Sequence, residues 1–163
     1  MEIGDKAYEF CLPNELNENI CLKDQKGKWV ILYFYPKDNT SGCTKEAIDF
    51  TEKRTEFTNK NAVIYGVSPD SIVSHVKFIS KHTLSIPLLS DEEKTVMKAY
   101  GAWGLKKNYG KEYEGVIRST FIINPDGIIA HKWHNVSVQQ KRKDGIVKHA
   151  EIVLKKLTEL QQD

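Results

Sequence analysis

The sequence predicts an α/β domain in which a central mixed β-sheet is flanked by helices. Three observations carry that expectation. The continuous apolar run "WVILYFY", Trp29 to Tyr35, reads as a strand buried on both faces and is ended by Pro36. A segment of helical period and then a second apolar run, "NAVIYGV", follow it. This is the strand–helix–strand order of a parallel unit with a right-handed crossover. Further on, "GVIRSTFIINPDGIIAHKW" places two apolar strands about an Asn-Pro-Asp-Gly turn, a hairpin whose strands must run antiparallel.

The elements follow in order. Cys11 in "YEFCLP" and Cys21 in "ENICLKD" sit in short N-terminal strands, which predict a hairpin ahead of the first core strand. After that strand comes a turn-rich loop, "PKDNTSG". "CTKEAIDFTEKRTEFTNK" then carries a helical stripe at Cys43, Ala47, Phe50, Arg54 and Phe57, with Lys45, Glu52, Lys53 and Glu56 opposite. "SIVSHVKFISKH" presents Ile72, Val73, Val76, Phe78 and Ile79 at near-helical spacing. "LSIPLLSD" is a short extended piece interrupted by Pro87, and "DEEKTVMKAYG" is a helix with acids at its start and a glycine stop. The last segment, "DGIVKHAEIVLKKLTELQQ", aligns Ile146, Ala150, Val153, Leu154, Leu157 and Leu160 as the apolar face of a helix laid on the sheet. The basic runs "KKNYGK" and "QQKRKDG" read as solvated loops.

Composition narrows the function. With 163 residues the chain has the usual size of one domain, 1–163, long enough to bury about 70% of its unfolded surface without staples. A net charge of +2 points to neither nucleic acid nor a membrane surface. The start, "MEIGDKAYEF", lacks the basic and apolar regions of a secretory signal, and the longest apolar run is too short to span a bilayer; a cytoplasmic location is the default. Three cysteines are an odd set with no metal-type spacing, which predicts no disulfide framework and fits reducing conditions. No metal or other cofactor is expected, since the histidines do not cluster with the cysteines and His131 and His134 read as surface residues. Cys11 and Cys21 read as small apolar residues without an activating neighbour.

Cys43 differs from both. It falls in the first turn of a helix, just beyond the carboxyl end of a buried strand, where ligands gather in open α/β sheets. Unpaired N–H groups and the positive helix end favour a thiolate there. Gly42 permits a tight turn, and Thr40 adds a hydroxyl one turn back. A disulfide oxidoreductase would carry a second cysteine at position 40, whereas a cysteine hydrolase needs a histidine brought in by the fold. A third chemistry is attack of the thiolate on a peroxide, which yields a sulfenic acid and needs donors aimed at the charge on the departing oxygen, where a fixed cation would help.

The stretch "FYPKDNTSGCTKE" resembles the active-site motif of the peroxiredoxins, with the Pro-x-x-x-Thr-x-x-Cys spacing at Pro36, Thr40 and Cys43. "GVSPDS", "SIPLLSD", "AYGAWG" and "GKEYEGVIRSTFIINPDG" occur in order and resemble the bacterioferritin comigratory protein (PrxQ) subfamily over nearly the whole chain. The resemblance implies a thioredoxin-like fold and a thiol-dependent peroxidase for hydrogen peroxide and organic hydroperoxides. It implies a thiol reductant such as thioredoxin, glutaredoxin or a small thiol as partner, and a monomer. It assigns Cys43 as the peroxidatic cysteine and Thr40 as the hydroxyl that orients the peroxide. Arg118 becomes the arginine that contacts thiolate and peroxide, Pro36 the shield of the sulfur, and Glu46 the residue that holds the arginine. Ser41 stands where many relatives have proline. The positions of the usual resolving cysteines are Ile48 and Ile79, so the internal disulfide of the subfamily is absent. The expected route is one-cysteine recycling by an external thiol; Cys11 or Cys21 as resolving residue, or a peroxide sensor or holdase, are the alternatives.

Overall fold

The structure, a computed structural model, describes residues 1–162. Its centre is a five-stranded mixed sheet of β3 (Trp29–Phe34), β4 (Ala62–Ser68), β5 (Leu88–Ser90), β8 (Ser119–Ile123) and β9 (Ile129–His134). The spatial order is β5-β4-β3-β8-β9. β4 lies parallel to β3, and β5 to β4, while β8 and β9 add antiparallel on the other side. The unbroken apolar run of β3 is explained by this central place, because the strand must pack on both faces. Its alternate residues part accordingly. Ile31, Tyr33 and Tyr35 enter one core with Cys43, Phe50 and Phe57 of α1 (Ser41–Asn59) and with Val153 and Leu157 of α4 (His149–Gln161). Val30, Leu32 and Phe34 enter the other, with Phe10, Leu12 and Leu22 of the N-terminal segment.

Three further pairs stand outside the main sheet. β1 (Cys11–Pro13) and β2 (Asn19–Cys21) form the N-terminal hairpin. β6 (Trp103–Asn108) and β7 (Lys111–Val116) form an antiparallel ribbon, so "KKNYGK" is not a loop but a hairpin tip. Tyr109 and Gly110 both take positive φ there, the requirement of a two-residue turn matched to strand twist. "QQKRKDG" likewise belongs to a hairpin, β10 (Gln139–Arg142) against β11 (Gly145–Lys148). β11 also shortens the closing helix, which begins at His149; Ile146 lies on the strand and is 57% exposed rather than part of the helix face.

The first two helices depart from their apolar patterns. In α2 (Ile72–His82), Val73 and Val76 are 63% and 48% exposed, and the inward residues are His75 and Phe78. A histidine turns inward because both its ring nitrogens find polar partners, as described below. On α1, Arg54 is exposed while Glu46 and Asp49 are buried. The predicted helix from Asp91 is only α3 (Thr95–Ala99), but the acid at its start does cap it: the Asp91 carboxylate accepts from the Val96 and Met97 N–H groups at 3.4 and 2.9 Å. Among the described residues no helix is long and apolar enough to cross a membrane.

The largest correction concerns the cysteines. Cys11 and Cys21 are not isolated apolar residues but a disulfide, with Cα atoms 4.0 Å apart. The antiparallel register sets them directly opposite each other, within bridging reach. That register comes from the turn, where Asn14 Oδ1 accepts from the N–H groups of Leu16 and Glu18, both at 2.9 Å, and Asn17 takes a positive φ. An odd count of cysteines therefore resolves into one pair and one free thiol, Cys43, and no longer argues for reducing conditions.

Candidate active site

The site forms where β3 ends and α1 begins. The Tyr35 N–H continues the sheet by donating to Val67 O at 3.0 Å, after which Pro36 and a short loop lead to the helix. Asn39 takes a left-handed φ of 62°, tolerable for asparagine, and reverses the chain. Thr40 is the N-cap in extended conformation, yet its side chain does not cap. Its hydroxyl instead donates backwards to Lys37 O at 2.8 Å. Two consequences follow. The N–H groups of the first turn are left without a side-chain partner, and the Thr40 oxygen offers only its lone pairs to an incoming group.

Cys43 is the third residue of α1 and is 1% exposed. Its Sγ accepts a hydrogen bond from Arg118 Nη2 at 3.2 Å. Arg118 comes from the short link between β7 and β8, and its Nη1 donates to Glu46 Oε1 at 2.6 Å. Glu46 lies nearly one turn after Cys43 on the same helix, so a single guanidinium fork spans sulfur and carboxylate. Gly42 makes this closure possible: a Cβ there would stand 3.3 Å from Arg118 Nη2. The structure thus brings Cys43, Arg118 and Glu46 into direct contact. Thr40 stands exposed one turn ahead of Cys43, and Pro36 is half-buried at the exit of β3.

The charges are held in a dry setting. Burial pushes the Glu46 carboxyl up to about 7, against the pull of Arg118 in the opposite direction. Burial alone would lower Arg118, but Glu46 and Cys43 outweigh it, and the guanidinium is held above its ordinary value. Tyr33 is buried beneath the site with its ring stacked on Phe50 at 4.7 Å. Its hydroxyl and Glu46 Oε2 are both buried without a hydrogen-bond partner. On the flank, His149 Nε2 lies 2.9 Å from Thr120 Oγ1, and burial, aided by Arg118, lowers its pKa to about 4, which keeps the ring neutral.

Sequence reasoning missed the polar support of the loop, which consists of Tyr35, Asp38, Asp70 and His75. Asp38 accepts from Tyr35 Oη at 2.6 Å and approaches His75 Nδ1 at 2.7 Å. The available signals were an acid in the loop directly after a buried strand and a histidine amid the apolar positions of α2.

Known proteins resemble the chain over most of its length. The AhpC/TSA family matches residues 3–132. Peroxiredoxin Bcp of Bacillus subtilis is 48% identical over 139 residues, 85% of this chain and 88% of that protein. A putative peroxiredoxin bcp of Helicobacter pylori strain J99 is 51% identical over 139 residues, covering 85% and 91%. Among solved structures, a Cys→Ser mutant of Xylella fastidiosa PrxQ superposes with a TM-score of 0.89 at 35% identity, covering 99% of this chain and 98% of that one. The bacterioferritin comigratory protein of Xanthomonas campestris, described for its alkyl peroxide reduction activity, superposes with a TM-score of 0.84 at 35% identity, covering 97% and 96%. The mixed sheet with its flanking helices is the thioredoxin-like architecture these proteins share. With a free cysteine at the helix start facing an arginine fork, and relatives at this identity along most of its length, the chain belongs to the AhpC/TSA family and is a peroxiredoxin, a thiol-dependent peroxidase.

Proposed function

We propose that Cys43 reduces hydrogen peroxide and organic hydroperoxides by a one-cysteine cycle. The Cys43 thiolate attacks one peroxide oxygen, and the O–O bond breaks. The attacked oxygen stays on sulfur as a sulfenic acid, and the departing alkoxide or hydroxide takes a proton to leave as alcohol or water. One external thiol then displaces water to form a mixed disulfide with Cys43. A second thiol releases the Cys43 thiol and leaves as disulfide.

The observation that carries the reading is the 3.2 Å contact of Arg118 Nη2 with Cys43 Sγ. A fixed cation there stabilises the charge that develops on the departing oxygen during attack. Glu46 holds the fork in place. The Thr40 hydroxyl, whose proton is committed to Lys37 O, accepts from the peroxide O–H and so orients the attacked oxygen. Pro36 covers the approach to the sulfur from the strand side. One-cysteine recycling is supported by Ile48 and Ile79 at the positions of the usual resolving residues. It is supported also by the hairpin, whose two sulfurs are already joined and whose apolar neighbours pack on the sheet face opposite Cys43. The reductant in this reading is thioredoxin, glutaredoxin or a small thiol, acting on a monomer.

Steady-state peroxide consumption with each thiol tests the proposal. Continued turnover is expected. A single turnover that no thiol can renew would favour a sensor or holdase instead.

A further inference from the structure

The loop that presents Thr40 and the first turn of α1 is secured at one residue, Asp38. Its side chain is 1% exposed and meets three polar partners. Tyr35 Oη donates to Oδ1 at 2.6 Å, Ser74 Oγ donates to Oδ2 at 2.8 Å, and His75 Nδ1 stands 2.7 Å from Oδ2. Its backbone N–H donates to Asp70 Oδ2 at 2.8 Å, and Asp70 is held in turn by Ser68 Oγ at 2.7 Å. The far side of the histidine is also committed. His75 Nε2 lies 3.1 Å from Leu89 O, a carbonyl that can only accept, so Nε2 carries a hydrogen. The 2.7 Å approach of Nδ1 to Asp38 Oδ2 closes the other side of the ring. The His75 side chain is 0% exposed, so neither group has water as an alternative partner.

Such a cluster is costly to bury unless every member is satisfied, and here the contacts of Asp38 and His75 are complete. Its placement goes beyond what holding α2 on the sheet requires. Contacts from the ends of β3 and β4 and from α2 converge on a single loop residue, two positions before Thr40 and five before Cys43, while β5 holds His75 from its far side. The core face of α2 is otherwise apolar through Phe78, and a leucine at position 75 would serve packing alone.

We infer that Asp38 and His75 form a buried latch that sets the position of the Pro36–Thr40 loop for the peroxide step, acting as positioning residues through Thr40 and the unpaired N–H groups of α1. The inference rests on Cys43 being the peroxide-reactive cysteine. The latch gives the reaction a geometric requirement that simple alkylation of the sulfur lacks. Peroxide must be aligned with both the thiolate and Thr40, whereas iodoacetamide needs only the thiolate.

The test measures two rates on the full chain, the reaction of Cys43 with hydrogen peroxide and its alkylation by iodoacetamide. In Asp38→Asn and His75→Gln the peroxide rate is expected to fall roughly 10- to 100-fold, the scale of a misplacement near 1 Å. Alkylation should be unchanged or faster as the loop loosens. The double variant should lose little more than either single one, because both break the same latch. If burying an incomplete pair prevents folding, Tyr35→Phe and Ser74→Ala each remove one arm and should show the same split at smaller size. Peroxide and alkylation rates that fall together, or a peroxide rate that does not move, overturn the latch while leaving the peroxidase reading intact. A wild-type Cys43 that does not react with peroxide at all would remove that reading, and the latch with it.

Discussion

The N-terminal hairpin and the start of α1 hold the same side chain and give it opposite fates. In the hairpin, Cys11 and Cys21 are paired by strand register, and the sulfurs satisfy each other. At the helix, Cys43 has no thiol partner; Arg118 donates to its sulfur, and a turn of unpaired N–H groups surrounds it. The difference lies in the neighbours and not in the cysteines. A sulfur opposite a sulfur becomes a staple, and a sulfur opposite a guanidinium stays free and accepts its hydrogen bond. The sheet keeps the two apart, because the alternate residues of β3 face different cores.

The contrast is broken most sharply by deleting each kind of sulfur. Cys43→Ser should abolish peroxide turnover and leave thermal stability nearly unchanged. Cys11→Ser with Cys21→Ser should do the reverse: turnover persists, while denaturant unfolding shows a loss of about 2–3 kcal/mol for a closed loop of this length. Loss of turnover in the hairpin double variant would show that the two regions are chemically joined. Next in size is Arg118→Ala, expected to lower kcat/KM for peroxide by roughly 10²–10³ through loss of the donor to the reacting charge. Arg118→Lys should recover little of it, since an ammonium cannot span Cys43 and Glu46 as the fork does.

A pH series probes the same site by charge. Burial raises the Glu46 carboxyl to about 7, so the folded state holds its proton more tightly than the unfolded state does. The stability this adds is full below the ordinary value of 4.5 and is lost as pH rises through about 7. His149 runs the other way. Its pKa falls from 6.5 to about 4 on folding, so its contribution is full above 6.5 and is lost as pH falls toward 4. Between 4.5 and 6.5 the two contributions oppose each other, so Glu46→Gln should leave a stability that rises with pH there and His149→Gln one that falls. A wild-type slope retained in either variant would contradict the assignment. Smallest of the expected effects is that of Gly42→Ala. The new methyl would meet Arg118 Nη2 at 3.3 Å and push the fork by a few tenths of an ångström, lowering kcat/KM only about several-fold.

What could be read from the chain divides along physical lines. β3, the β3–α1–β4 crossover and the β8–β9 hairpin were legible because burial on both faces, helical period and turn chemistry are local in sequence. Cys43 was legible for the same reason, as the helix start lies beside it. Arg118 was not: it sits in a link between strands, and only the resemblance of its surrounding words marked it. The Cys11–Cys21 bond escaped because a count of three cysteines says nothing of register, which the Asn14–Asn17 turn decides. His75 escaped because the exposed Val73 and Val76 carry the stronger apolar pattern on α2, while the partners that draw the histidine inward, Asp38 and Leu89, are distant in sequence.

The central claim is that Cys43 reacts alone. It is tested most directly by adding one equivalent of hydrogen peroxide to the oxidised-hairpin protein in the presence of a sulfenic-acid trap, then mapping all three cysteines by mass spectrometry. The account predicts trap adduct on Cys43 and an intact Cys11–Cys21 bond. A bridge from Cys43 to Cys11 or Cys21 would contradict it.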